Sequence, residues 1–362
     1  MCYYIINLRG IVMSKYDSWD KQQLLRYYNE AIQKWVDSNN TDEVALRTIA
    51  TCEKLIKGPT PPFISPTSIK GKINEDRMFL LKDQKFIKDI EEFHRLQHTL
   101  KSKRDLVVDE RDISNSLLLS VTHDFYNSLD QDIAKVFNRL FKDRRENLRF
   151  TNLPSESYFL PLFGTGYINL QRDYTISDFI FLIHEYAHLI QDKIKYRDSF
   201  LNYPFNEMLP ILMEMLALDF IEESLADFEE DAKTIKISRM KTNLKYASDI
   251  LKEYQYIHTV DTNKRTRNMI ADMATSTNLS KKDAYKLLNM SAEQKLTYLI
   301  PTILDIELYY LYYFDRDRCI DLIFKLIDAN DNIDFRKYIK DSGIVLNQHS
   351  KQYIKEIKRD IK

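Results

Sequence analysis

Apolar residues recur at helical spacing along most of this chain. The clearest run is Ile176, Phe179, Ile180, Ile183, Ala187, Ile190 and Ile194, which puts one apolar stripe on a helix expected over 175–197. Thr175 with Asp178 three residues on is a helix-start signal. The next helix is expected over 206–226 and carries Pro210, which a helix tolerates only near its start. The loop between them, Arg197 to Phe205, lets the second helix fold back antiparallel to the first. Upstream, Trp19, Leu24, Leu25, Tyr28, Ile32 and Trp35 keep the same period, so 16–57 reads as two helices, the second following Asn39-Asn40-Thr41-Asp42. A long charged helix is expected over 73–104 and one or two more over 113–145. Downstream come a charged helix over 222–245, helices over 247–258, 264–275 and 280–290, an aromatic stretch over 293–328, and basic helices around Gly343. Ser280 with Asp283 repeats the start signal.

The pattern changes over 149–170. Phe150, Tyr158-Phe159-Leu160 and Tyr167-Ile168-Asn169-Leu170 combine strand formers with the turn residues Gly164 and Gly166. Two short strands with a glycine turn are expected there, as the only sheet. An exposed edge strand could hold a peptide by main-chain hydrogen bonds; a hairpin that merely caps the core fits the same residues. Gly58-Pro59-Thr60-Pro61-Pro62-Phe63-Ile64-Ser65-Pro66 is the only proline-rich stretch and reads as a stiff connector or a loop laid over the surface. The expected fold class is mainly α, with a small β-hairpin beside the 175–197 helix. The expected domains are an N-terminal helical segment with the connector (13–72), a helical subdomain (73–148) and a chemistry-bearing domain (149–362).

Composition adds limits. The 362 residues are 44% hydrophobic, enough for a sizeable core in one large or two smaller domains. Six glycines and nine prolines favour helices over tight turns. A formal net charge of −1 gives no reason to expect nucleic acid or an anionic membrane as partner. Cys2, Cys52 and Cys319 are too scattered for a disulfide framework, which points to reduced thiols and a cytoplasmic setting. No run approaches the length of a membrane span. The first residues are mildly apolar but broken by Asn7 and Arg9, with no basic segment before them, so they do not read as a signal peptide; Met13 is an alternative start.

The chemistry concentrates in His184-Glu185-Tyr186-Ala187-His188, an H-E-x-x-H match on the most regular helix. Residues four apart share a helix face, so His184 and His188 can offer two imidazole nitrogens to one metal ion. Glu185 can reach a metal-bound water as general base. Imidazole and carboxylate ligands suit zinc, one ion per chain. A third ligand has to come from elsewhere. Glu207 and Glu214 lie two turns apart on one face of the following helix. Glu207, at its first turn, is the favoured ligand; Glu214 would orient a histidine ring or serve as the alternative ligand. His94 and His98 are also four apart, but Arg95 stands where a base would be, and they read as solvated helix-face residues.

These residues resemble the M3 peptidases, the thimet oligopeptidase and oligoendopeptidase F group. The resemblance rests on the H-E-x-x-H motif and on Glu207 and Glu214 seven apart around Pro210. Gly166-Tyr167-Ile168-Asn169-Leu170 resembles the family's edge strand, and Tyr338 to Ile344 its closing helix and glycine turn. It covers about 160–345. The chain departs from the family in a shorter His188–Glu207 spacing, in Ala187 where the family has glycine, and in overall length. The resemblance implies zinc-dependent hydrolysis of peptide bonds, with peptides as partners. It also implies a late-helix tyrosine that holds the oxyanion; Tyr298 is the nearest match, with Tyr309 and Tyr310 as rivals. Two other functions fit the residues: a protease restricted to one substrate, of regulatory or toxin type, and a zinc-stabilised helical binding protein without catalysis. The intact Glu185 speaks against the second, because a purely structural zinc site is closed by four protein ligands.

Overall fold

The computed structural model describes residues 21–39, 41–57, 113–152, 154–194, 206–259, 269–289, 292–328 and 335–345, with isolated positions from Gln348 to Arg359. The expected 73–104 helix, the proline-rich connector, His94, His98, Cys2 and the 195–205 loop lie outside them. The described chain forms two compact units, residues 21–57 with 113–194, and residues 206 onward. No described helix is long and apolar enough to cross a membrane.

The first unit runs α1 (Lys21–Asp37), α2 (Glu43–Lys57), α3 (Asn115–Ser128), α4 (Gln131–Lys142), α5 (Arg144–Asn147), β1 (Leu148–Thr151), β2 (Glu156–Leu160), β3 (Thr165–Gln171) and α6 (Ser177–Ile194). Local chemistry sets the breaks. Ser114 and Asp130 cap α3 and α4 by accepting backbone N–H groups from their first turns. Asn39 takes a left-handed conformation between α1 and α2, and Asp42 accepts the Ala45 N–H at 2.9 Å.

The sheet has three strands, not the two expected, in the order β1-β3-β2. β1 is parallel to β3, Leu148 facing Ile168, and β2 is antiparallel, Tyr158 facing Tyr167. β1 is only Leu-Arg-Phe-Thr, too short to show an alternation; Arg149 lies over the Trp35 ring at 4.8 Å. The Gly166–Leu170 segment, which resembles an edge strand in sequence, is therefore the central strand. Both its edges are already hydrogen-bonded, so any strand addition has to use β1 or β2.

Each sheet face is covered by helices. Tyr158, Leu160 and Tyr167 share one face and pack with Ala31, Trp35, Leu46 and Ile49 of the α1–α2 hairpin; Trp35 meets Tyr167 edge-on at 5.9 Å. Arg47 reaches Glu156 at 2.7 Å and pins α2 to β2. The opposite face meets α6. Gly166 makes room there for Leu189, because a methyl group on it would stand 2.6 Å from Leu189 Cδ1 and force that side chain to shift. Lys193 then donates to the Gly164 carbonyl at 2.6 Å, at the turn between β2 and β3.

The corner from β3 into α6 is built on a buried charge pair. Arg172 Nε donates to Asp178 Oδ2 at 2.6 Å, and both side chains are almost wholly buried. Asp178 also accepts the backbone N–H groups of Asp173 and Tyr174, at 2.9 and 3.0 Å, and Tyr174 is left-handed. The Arg172 guanidinium bonds to Asn115 Oδ1 at the start of α3 and to the Ile113 carbonyl just ahead of it, and lies over the Phe150 and Tyr174 rings. Asp178 thus caps the turn before α6, one step further back than its start-signal spacing from Thr175 suggests.

The second unit holds α7 (Met208–Ser224), a 3-10 turn at Ala226–Phe228, α8 (Glu229–Thr259), α9 (Met269–Thr277), α10 (Lys281–Asn289), α11 (Ala292–Phe314), α12 (Arg316–Asp328) and α13 (Phe335–Ser342). α7 is apolar on all sides and buried against α8 and α11. Lys295 and Glu253 pair at 2.7 Å between α8 and α11, both buried.

Two substitutions test this frame by urea unfolding of the whole chain. Asp178→Ala leaves the Arg172 cation buried without its counter-ion and is expected to cost about 3–5 kcal/mol. Gly166→Ala is expected to cost about 1–3 kcal/mol, because Leu189 has to move from the rotamer that packs α6 on the sheet.

Candidate metal centre

α6 is a helix because its apolar residues fill nearly every turn. Phe179, Ile180, Leu182, Ile183, Tyr186, Ala187, Leu189 and Ile190 are buried. His184 and His188 lie on the one strip that is only half-buried. Their Nε2 atoms are 3.2 Å apart and their rings are edge-on, with centroids at 4.8 Å. Two nitrogens bound to one tetrahedral zinc at 2.0–2.1 Å stand about 3.3–3.4 Å apart, so the spacing of the pair is compatible with a shared ion. Glu185 is buried beside them. The Tyr186 ring points to the other side, edge-on to Phe137 at 5.1 Å, and burial pushes its hydroxyl pKa up.

The carboxylates expected downstream belong to the second unit. Glu207 is half-buried and occupies the N-cap position of α7, with helical backbone angles and no side-chain capping bond. Its carbonyl accepts the Ile211 N–H at 3.0 Å. Pro210 falls in the first turn, where its missing N–H leaves no helical bond unmade. Glu214 is two turns further on, buried, and pairs with Arg239 of α8 at 3.4 Å.

The tyrosines separate by environment. Tyr298 lies within α11, its side chain outside the described residues. Tyr309 and Tyr313, four apart on α11, both donate to Asp219 Oδ2 of α7, Tyr309 at 2.7 Å. Lys236 of α8 pairs with Asp219 Oδ1. Burial, then the Asp219 charge, pushes both hydroxyl pKa values far up, so they stay neutral donors. Tyr310 is buried and stacked on His349 at 5.0 Å, and His349 Nδ1 bonds to Glu307 Oε2 at 2.7 Å.

Two buried acids escaped the sequence reading. Asp219 anchors α7 to α8 and α11 at once. Asp305, on α11, is fully buried with no hydrogen-bond partner on either oxygen among the described residues. Burial, with the Glu214 charge added, holds its carboxyl well above the usual carboxylate range. The available signal was a lone acid inside an apolar helical run, since such an acid must be paired or protonated.

No family model matches the chain, and no curated protein does either. Solved structures do share its fold. A protein assigned as a peptidase from Chlamydophila abortus is 14% identical over 94% of this chain and 63% of its own, with TM-score 0.57. A protein assigned as an oligoendopeptidase F from Bacillus anthracis str. Ames is 12% identical over 90% of this chain and 64% of its own, with TM-score 0.53. PZ peptidase A, solved with an inhibitor, is 9% identical over 90% and 66%, with TM-score 0.53. The fold is thus the helical fold of oligoendopeptidase F-type structures, and this chain spans a little under two thirds of their length.

The raised pKa of the Asp305 carboxyl has a thermodynamic consequence. A carboxyl whose folded pKa is raised is stabilised by its proton below the unfolded value of about 3.9, and stability is lost as pH rises above that. Asp305→Asn is therefore expected to flatten the fall in unfolding free energy between about pH 4 and pH 7, read by urea titrations at both ends.

Proposed function

We propose that this chain is a zinc-dependent peptidase, an endopeptidase or oligopeptidase that hydrolyses peptide bonds. The observation that carries the reading is the His184–His188 pair, with Nε2 atoms 3.2 Å apart on a helix that buries Glu185 beside them. His184 and His188 would hold the ion through Nε2, and Glu207 through a carboxylate oxygen. All three residues are half-buried. Zinc, when bound, supplies Lewis-acid chemistry, polarising a carbonyl and lowering the pKa of water to about 7. Glu185 takes the proton of the attacking water and returns it to the leaving amine.

Glu214 is assigned a supporting role, because Arg239 already balances its charge. Tyr298 stays first choice for the oxyanion donor. The Tyr309 hydroxyl is engaged by Asp219, and the Tyr310 ring lies buried against His349. The peptidases of like fold support a peptide as substrate. A binding protein without catalysis would have no use for an acid buried beside two metal-ready histidines.

Elemental analysis of the purified chain is expected to give one zinc per chain, and none for His188→Ala. No tightly bound metal in the unaltered chain, even after zinc is offered, would end the reading. Glu185→Gln is expected to keep its zinc and lose at least about 10³-fold in turnover on a panel of short peptides. Glu207→Ala is expected to weaken zinc binding more than Glu214→Ala; the reverse ranking would move the third ligand to Glu214.

A further inference from the structure

We infer that the Tyr126 hydroxyl is a positioning group for the histidine pair, acting through the backbone of α6 rather than by touching an ion or a substrate. The inference rests on the zinc reading above. Tyr126 is on α3, wholly buried, and donates to the Ile183 carbonyl at 2.6 Å. Ile183 immediately precedes His184. In an α-helix its carbonyl also accepts the Ala187 N–H, the bond that closes the turn running from Ile183 to Ala187, which contains His184 and ends one residue short of His188. A carbonyl oxygen has two lone pairs, so both donors are accommodated. A second donor on a mid-helix carbonyl tilts it away from the axis and alters the local pitch. That pitch sets the distance between the two Nε2 atoms.

The Tyr126 ring packs in an aromatic cluster behind α6. Tyr126 is stacked on Phe137, with centroids at 4.3 Å and planes at 17°. Phe137 also meets the Tyr186 ring at 5.1 Å, and Tyr186 is the residue in the middle of the histidine turn. The aromatic cluster therefore fixes the back of α6 by packing, while one hydrogen bond grips the turn itself. Burial drives the Tyr126 pKa far up, so the group is a donor at any working pH. A metal site tolerates displacements of only about 0.5 Å in its ligands, which makes it sensitive to a change too small to unfold the helix.

The experiment compares zinc affinity and thermal stability of metal-free protein for three chains, by competition with a chromophoric chelator and by circular dichroism. Tyr126→Phe removes one oxygen and keeps the ring. It is expected to bind zinc about tenfold more weakly while its melting temperature falls by only a few degrees. Phe137→Leu removes the packing partner and keeps the hydroxyl. It is expected to lose more melting temperature than Tyr126→Phe and to keep zinc affinity within about twofold. Unchanged zinc affinity in Tyr126→Phe, or affinity that merely follows stability across both variants, overturns the positioning role and leaves the zinc reading standing. Failure of the unaltered chain to bind zinc overturns the zinc reading itself, and this inference with it.

Discussion

The buried pair of Arg172 and Asp178 is the constraint on which the first unit depends. A charge taken out of water is tolerated only with compensation, and here all three guanidinium nitrogens of Arg172 and both carboxylate oxygens of Asp178 are hydrogen-bonded. Asp178 takes three hydrogen bonds, and Arg172 spends its own on Asp178, Asn115 and the Ile113 carbonyl. The pair joins the end of β3, the start of α6 and the approach to α3 at one point. That point fixes the direction in which α6 leaves the sheet, and so the side of the helix on which His184 and His188 appear. A hydrophobic corner of the same volume could be as stable, but removing one partner of the existing pair would leave a buried charge uncompensated.

From that corner, α6 is held along its length by contacts of different kinds. Gly166 lets Leu189 press against the central strand, Lys193 ties the far end to the β2–β3 turn, and the ring of Tyr186 is lodged among Phe137, Phe141 and Tyr126. A helix so fixed can carry two half-buried imidazoles close together without collapsing onto them. The second unit solves a related problem differently. α7 is apolar on every side, and its acids are answered individually: Glu214 by Arg239, Asp219 by Lys236 and two tyrosines. Those tyrosines then have one job, because a hydroxyl committed to a buried carboxylate is a poor donor to anything else.

The histidines, Glu185 and the helix that carries them were legible in the sequence because they depend on local periodicity. A stripe of aliphatic residues at 3.6-residue spacing and a fixed offset of four are properties of one segment. The start of the second helix was legible for the same reason, through Pro210. Other features were not. β1 is four residues long, and its pairing with β3 is a contact between distant parts of the chain. Asp178 matched a start signal, yet bonds to Arg172 and the turn before it, since a buried guanidinium competes better for the carboxylate than a single backbone N–H does.

The sequence by itself determined the mainly helical class, the small sheet and the pair of imidazoles on one face, because each follows from residue type and spacing. Only the tertiary structure decided that Gly166–Leu170 is a central strand and not an edge, that Tyr309 and Tyr313 serve Asp219, that Asp305 is buried with no hydrogen-bond partner among the described residues, and that Tyr126 reaches the turn before His184. The physical reason is common to all four. Burial, pairing and hydrogen bonding depend on what lies opposite a residue in space, and residues such as Tyr126 and Ile183 or Tyr309 and Asp219 are far apart in the chain, where no periodicity links them.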